Sequence, residues 1–236
     1  MPRVAILQSN YIPWKGYFDI IHDVDIFVFY DEVQYTRRDW RNRNQIKTPQ
    51  GVQWLSVPTN GTQEMRICDV EICDDNWGRK HWETLRHAYG KAPHFRDYAD
   101  FFEEVYLRRT WRKLSELNQT LLKEISTRFL GIQTRFVSDQ DLHAEGTKQE
   151  RLLSILKHLG ADAYLSGPAA RSYITPAAFA EVGIELTYKN YAGYPEYPQL
   201  YPPFRHDVTI LDMLFHLGKA TPDTIWGWRE GAKTNA

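Results

Sequence analysis

The first thirty residues constrain the chain most. Val4–Leu7 is an apolar run of strand length, followed by the turn-rich stretch Gln8-Ser9-Asn10-Tyr11-Ile12-Pro13. Lys15 to Ile21 then carries Phe18, Ile20 and Ile21 at helix-compatible spacing. A second apolar run, Ile26–Tyr30, ends at Asp31-Glu32. Strand, loop, helix and strand in this order make a βαβ unit, with parallel strands and a right-handed crossover. Pro13 suits the first turn of the helix, where a missing N–H is no loss. A chain that begins this way is committed to a parallel sheet covered by helices.

The remaining sequence continues the alternation. Residues 31–50 are polar and cationic without a helical stripe, and read as a long loop at the carboxyl end of the second strand. Trp54–Val57 reads as a strand ended by Pro58, and Val70–Cys73 as an edge strand. The middle is helical: Trp77–Tyr89, Phe101–Leu107 and Leu114–Leu130, the last stopped by Gly131. Strands at Gln133–Val137, Ala163–Leu165 and Ile184–Tyr188 alternate with helices at Lys148–Leu159 and Pro176–Val182. A Tyr/Pro-rich loop from Tyr191 leads into a closing helix, Asp207–Leu217. The expected fold class is α/β, a mainly parallel Rossmann-like sheet flanked by helices with a helical middle insertion. At 236 residues one core can serve the whole chain, so residues 1–236 form one domain with a helical subregion at 76–130.

Composition excludes several function classes. With 29 Lys+Arg against 30 Asp+Glu the net charge is -1, which argues against wrapping a nucleic acid while leaving room for a local basic patch. No run reaches the length of a membrane span and no secretory signal is visible, so a cytoplasmic location is expected. Cys68 and Cys73 have no further ligand spacing around them, so they read as reduced thiols rather than a zinc site or disulfide framework. The unusual feature is 8 Trp, 14 Tyr and 11 Phe. Tyr and Trp suit places where one edge packs and the other meets water or a ligand. Tyr11, Trp14, Tyr17, Tyr30, Tyr35, Trp40, Tyr173, Tyr194 and Tyr197 fall in or beside predicted loops, which suggests a stacking wall around a pocket.

Ligands of open parallel sheets collect outside the carboxyl ends of the strands. Three polar segments belong there: Gln8–Tyr17, Asp31–Asn44 and Ser166–Tyr173. The first delivers a helix N-terminus, where unpaired N–H groups and the dipole favour an anion, with Lys15 adding charge and Gly16 permitting close approach. The competing reading has Gly16 packing the helix and Lys15 solvated. Neither a dinucleotide fingerprint nor a P-loop is present. In the second segment Arg37, Arg38, Arg41 and Arg43 stand beside Trp40, Asn42 and Asn44, offering bidentate clamps and a stacking plane; Arg41, Arg43, Asn44 and Trp40 are the candidates there. The third presents Ser166, Gly167 and Tyr173 as hydrogen-bonding and close-approach positions. His206, with Asp207 and Asp212 following, is a candidate general base, and Asp31 is a second.

Tetrad Trp14-Lys15-Gly16-Tyr17 falls where nucleotidyltransferases and pantothenate-synthetase-like ligases carry His-x-Gly-His. The resemblance implies a nucleotidyltransferase-like strand–loop–helix. Trp14 and Tyr17 replace the two histidines, though, and neither can carry positive charge at a phosphate; Tyr17 retains a donor. Across the whole chain a second resemblance appears. Gln8-x4-Pro13-Trp14-x-Gly16-Tyr17-Phe18, Tyr30-Asp31-x-Val33-Gln34-Tyr35, Trp40-x2-Arg43-Asn44 and Trp54-x-Ser56-Val57-Pro58 begin the pattern. Trp77-x2-Lys80, Tyr164-Leu165-Ser166-Gly167-Pro168, Tyr197-x-Gln199, Phe204-x-His206 and Ile210-Leu211-Asp212-Met213-Leu214-Phe215 complete it. Together these segments resemble the WbqC-like family over residues 4–218. The resemblance implies an association with bacterial surface-polysaccharide and sugar-modifying pathways, and carries no catalytic assignment.

Three functional readings follow. The first is a transferase or ligase that attaches an acyl or aminoacyl group to a nucleotide sugar or another small intermediate. Gln8, Lys15, Arg41 and Arg43 would serve the anion, and His206, Asp31 or Tyr17 the proton. No motif fixes a cofactor; ATP or a nucleotide-linked substrate is the class these loops suit, and no metal is expected. The second reading is a non-catalytic ligand-binding or assembly protein on a nucleotide-binding fold. The third is a hydrolase, resting on His206, Asp207 and Asp212. The partner in the first two is a small molecule, a nucleotide or sugar; the oligomeric state has no signature in the sequence.

Overall fold

The computed structural model describes residues 2–229. β1 (Arg3–Leu7), α1 (Lys15–His22) and β2 (Ile26–Phe29) form the expected βαβ unit, with Val4 opposite Ile26 and Leu7 opposite Phe29 in parallel register. β3 (Arg43–Thr48) and β4 (Gly51–Ser56) make a separate antiparallel hairpin. The helices α2 (Trp77–Tyr89), α3 (Phe95–Glu103) and α4 (Leu114–Glu124) follow, the last two extended by wider π-type turns. β5 (Arg135–Ser138), α5 (Lys148–His158), β6 (Ala163–Ser166), α6 (Pro176–Ala180), β7 (Glu185–Tyr188) and α7 (Ile210–Leu217) complete the order.

The main sheet has the order β5-β2-β1-β6-β7 and every neighbouring pair is parallel. The chain builds outward from β1 through β2 to β5, then returns to the other side of β1 for β6 and β7. Strand order therefore reverses between β1 and β6. Period-2 alternation feeds two cores. Ala5, Phe27 and Phe29 point to the face covered by α1, the helical middle and α7. Val4, Ile6, Ile26 and Val28 point to the face covered by α5 and α6 through Leu152, Ile155, Leu156 and Phe179. Both faces are apolar, as a covered parallel sheet requires.

Four local expectations change. Residues 31–50 are not one loop, because Arg43–Thr48 is the first strand of the hairpin. Its inward residues alternate as Asn44, Ile46 and Thr48, and the buried Asn44 hides the apolar period that would announce a strand. Residues 70–73 form isolated bridges to Thr59 and Lys113 rather than an edge strand. Pro13 precedes the helix instead of entering it; Trp14 is the N-cap, and the Pro13 carbonyl accepts from the N–H of Ile210. The closing helix starts at Ile210, where the Thr209 hydroxyl accepts from the N–H of Leu211. Both cysteines are free thiols, Cys68 buried and Cys73 exposed.

The helical middle is held close by small residues at specific points. A Cβ added at Gly78 of α2 would lie 2.2 Å from the carbonyl oxygen of Tyr106. Backbone cannot yield there as a side-chain tip would, so Gly78→Ala is expected to cost about 1–3 kcal/mol in urea denaturation. Gly167→Ala serves as the control: no atom lies within 4 Å of its Cβ position, and its midpoint is expected to stay at the wild-type value.

Candidate functional site

Because strand order reverses between β1 and β6, the loops leaving these strands part from one another and open a crevice. A hollow of about 360 Å³ lies there. Gln8 leaves the end of β1, Ser166 and Gly167 leave the end of β6, Tyr30, Tyr164, Tyr173 and Lys148 add polar groups, and Ile6, Leu7, Leu152, Ala169 and Ala170 make the rest of the lining apolar. Gly167 has open space where its Cβ would be, so its smallness serves no packing inside the protein. Ser166 is buried, with its hydroxyl 3.4 Å from that of Tyr164. Lys148 is the first residue of α5 and holds a left-handed backbone (φ 47°), so a helix N-terminus and an ammonium group face the same hollow. Burial pushes the Tyr30 hydroxyl up to about 12, which leaves it a hydrogen-bond donor near neutral pH.

Four of the sequence-predicted residues, Gln8, Ser166, Gly167 and Tyr173, thus meet in one place. Tyr30, one of the rings the sequence places in a stacking wall, joins them, whereas Lys148 is not a candidate in the sequence reading. A signal for Lys148 exists: the loop between β5 and α5 also leaves a strand's carboxyl end, as do those after β1, β2, β6 and β7.

A second cleft lies on the far side of the Gln8–Trp14 loop. Its inner part, about 230 Å³, is lined by Asn10, Trp14, Tyr17, Trp40 and Asn44. It continues past Trp40 and Asp207 into an open part of about 400 Å³ lined by Arg38, Arg43, Trp54 and Arg205. Tyr17, Trp40, Asn44 and Arg43 are therefore grouped here, away from the first hollow. Asn44 is buried and braces the site: its amide donates to the Tyr11 carbonyl at 3.0 Å and its oxygen accepts from the N–H of Gln45. The Tyr17 hydroxyl donates to the Gln8 carbonyl at 2.8 Å, and burial holds its pKa well above the usual value. Tyr17 is a strut between the two sides rather than a free acid.

Arg41 stands between the two clefts. Its guanidinium donates to the side-chain oxygens of both Gln8 and Asn10, while the nearest carboxylate, Asp39, is 3.7 Å away. Its Nε has no hydrogen-bond partner among the described residues. The consequence is directional. With their oxygens accepting from Arg41, Gln8, at the first hollow, and Asn10, at the second, each have an amide NH2 left to donate. Both clefts are thereby furnished with donors for oxygen-rich or anionic ligands.

Lys15, Gly16, Asp31 and His206 take other positions. Lys15 is 2% exposed, with its ammonium 2.7 Å from His206 Nδ1 and 5.2, 5.7 and 5.8 Å from the rings of Tyr194, Tyr197 and Phe204. Burial lowers it to about 8, against the opposing pull of Asp212 and Asp207. His206 is exposed, and partial burial and the Lys15 charge lower its pKa. Gly16 is a packing residue: a Cβ there would stand 2.3 Å from the Trp14 ring. Asp31 is fully buried, accepting from the N–H of Ser9 at 2.9 Å and the amide of Gln119 at 2.9 Å. It tethers the β1 loop to α4 and lines neither cleft.

The proposed aromatic wall is only partly a wall. Tyr11 and Tyr35 are fully buried, and Tyr194 and Tyr197 nearly so. Trp40 and Tyr173 are exposed. Tyrosines with a buried polar partner look from sequence like surface rings, since the polar handle is the same. The trio behind the hydrolase reading is already engaged: Asp207 pairs with Arg205 at 2.6 Å, and buried Asp212 accepts from Tyr89, Tyr197 and Gln199. Asp19, His22 and Asp23 come within ligand distance of one another. Lys189 and Arg229 already neutralise that group, at 2.8 and 2.5 Å from Asp19.

The model of the WbqC-like protein family matches residues 8–224. Over 227 residues the chain is 45% identical to "Uncharacterized protein Rv1507c" of Mycobacterium tuberculosis (strain ATCC 25618 / H37Rv), covering 95% of this chain and 98% of that one. No solved structure matches.

The buried Lys15 has a measurable signature. Its folded pKa of about 8 lies below its ordinary 10.5, so the unfolded chain binds the extra proton between these values. Stability from this group therefore rises as pH climbs from about 8 to about 10.5. Relative to Lys15→Met, the wild type is expected to gain on the order of 2 kcal/mol across that window in denaturant titrations. A pH-independent difference between the two proteins would show that Lys15 titrates normally.

Proposed function

The chain belongs to the WbqC-like protein family, and on that premise we propose that it is a transferase or ligase acting on a nucleotide-linked sugar or a related small biosynthetic intermediate. The attached group would be acyl or aminoacyl, in a bacterial surface-polysaccharide or related pathway. One observation carries the reading: the partly apolar hollow, with Gln8, Ser166, Tyr30, Tyr173 and Lys148 at its rim, at the point where strand order reverses, the place where open α/β sheets hold nucleotides. Lys148 and the α5 N-terminus would meet phosphate oxygens there. Tyr30 and Tyr173 would lie along the base or sugar, and Gln8 and Ser166 would hold hydroxyls or phosphate. His206 is the base this reading favours: it is exposed, Lys15 engages its Nδ1, and its neighbour Asp207 lines the second cleft.

A second reading, ligand binding without chemistry, is favoured by one specific feature. The His-x-Gly-His positions are Trp14 and Tyr17, and the Tyr17 hydroxyl is committed to the Gln8 carbonyl. The two readings share the binding step and part at turnover.

Calorimetric titration with ATP, UDP and UDP-sugars tests the shared step. Binding is expected in the micromolar-to-millimolar range for at least one nucleotide. Lys148→Ala is expected to weaken it about tenfold, the loss of one exposed charge-assisted contact. Gly167→Phe is expected to abolish binding with an unchanged melting temperature, because the ring would fill open space. Absence of heat at millimolar nucleotide, or wild-type affinity in Gly167→Phe, overturns the nucleotide site. Binding without release of a nucleotide product in any donor–acceptor mixture would favour the second reading.

A further inference from the structure

Trp40 and Trp54 stand together at the surface, 42% and 39% exposed, with ring centroids 5.4 Å apart and planes tilted by 39°. They come from different elements, Trp40 from the segment before β3 and Trp54 from β4, so the pairing is made by the fold and not by sequence adjacency. Grouped exposed rings of this size mark binding surfaces. Arg43, which opposes Ser56 in the hairpin, reaches diagonally to Trp54 and lies 4.1 Å from its ring centroid.

The charges around the pair are unequal in their commitments. Asp39 already accepts from Thr36 and from the N–H of Trp40, and Asp207 is paired with Arg205. The side chains of Arg43 and Arg38 make no hydrogen bond or ion pair among the described residues, although the Arg43 charge helps to lower the pKa of Asp39 in the same cleft, and Arg43 Nε is buried without a partner there. A guanidinium stacked on an indole keeps its in-plane N–H edge free for a bidentate acceptor. Arg38 is held beside it in a left-handed backbone conformation, φ 53°. Deeper in, the Asn10 amide offers a further donor.

We propose that this cleft binds an anionic saccharide, its pyranose ring against Trp40 and its carboxylate on Arg43 and Arg38. The C–H face of a sugar ring carries partial positive charge and complements the negative face of an indole. Tilted rings, one of them already covered by Arg43, cannot sandwich a flat nucleobase, but a single open indole edged with donors suits a puckered ring with hydroxyl and carboxylate oxygens. The cleft and the switch-point hollow lie on opposite sides of the Gln8–Trp14 loop, with Arg41 between them. That the saccharide is the acceptor of the transfer rests on the function proposed above; that it binds does not.

Tryptophan fluorescence and saturation-transfer NMR on the full chain, with glucuronate, glucose and UDP as probes, test this. Glucuronate is expected to bind at least about tenfold more tightly than glucose, the effect of one charge-assisted bidentate contact. Arg43→Gln should bring glucuronate to the level of glucose, Trp40→Ala should remove both, and UDP binding should be unchanged in each variant. Trp40→Phe, which keeps a ring, should retain glucuronate binding and guards against a folding defect in Trp40→Ala. No saccharide signal at tens of millimolar, or glucuronate affinity unaltered in Arg43→Gln, overturns the proposal. So does UDP binding that depends on Trp40. Glucuronate binding with no UDP binding in any variant would sink the nucleotide reading and leave this one standing.

Discussion

One largely buried guanidinium, that of Arg41, organises the functional end of this protein. Removing a cation from water costs several kcal/mol unless hydrogen bonds and nearby charge replace its hydration. Arg41 meets that requirement with two neutral amide oxygens, Gln8 and Asn10, and a carboxylate at 3.7 Å. The arrangement costs the structure freedom elsewhere. Both amides must point their oxygens inward, and the β1–α1 loop must follow the backbone before β3, as the bond from the Tyr11 N–H to the Trp40 carbonyl shows. The Arg41 carbonyl in turn accepts from Asn118 of α4 at 2.8 Å, so the helical middle is tied to the same point.

The two clefts inherit their chemistry from this bracing. Each lies at the rim of a rigid segment, and each has an amide NH2 left to donate beside the contact to Arg41. Their other residues differ in kind. The switch-point hollow is lined by a glycine with open space above it, three tyrosines, several aliphatic side chains and a lysine at a helix N-terminus. The second cleft carries two indoles, the Arg205–Asp207 pair, and Arg38 and Arg43, whose side chains make no ion pair among the described residues. Behind it, the C-terminal Tyr/Pro segment folds back over α1 and encloses Lys15 among rings; burial lowers its pKa, and the charges of Asp212 and Asp207 offset only part of that. Asp19 on the same helix shows the opposite solution, a buried carboxylate matched by Lys189 and Arg229.

Much of the framework was legible in the residue order. The apolar runs at Val4–Leu7 and Ile26–Tyr30 with a helix between them predict the parallel pair found as β1 and β2, because period and length suffice for a strand buried on both faces. The helices at 77–89 and 148–158 appear where their stripes place them. Arg43–Thr48 escaped because its buried face holds Asn44, a polar residue satisfied by the Tyr11 carbonyl through a contact with no sequence trace. The candidate ligand residues were legible as a set of loops, since the carboxyl ends of parallel strands share one side. Which loops share a cleft was not legible.

The sequence by itself therefore determined the alternation of strands and helices, the two-faced apolar core, and the family, since these depend on local period and on residues matched in order. Tertiary structure alone decided that Gln8 and Ser166 face one hollow while Trp40 and Arg43 face another, that Lys15 is buried against His206, and that Tyr11 and Tyr35 are core. The reason is physical. Strand order along the sheet separates loops that look equivalent in sequence, and a buried polar group is defined by a partner as distant as the 191 residues between Lys15 and His206.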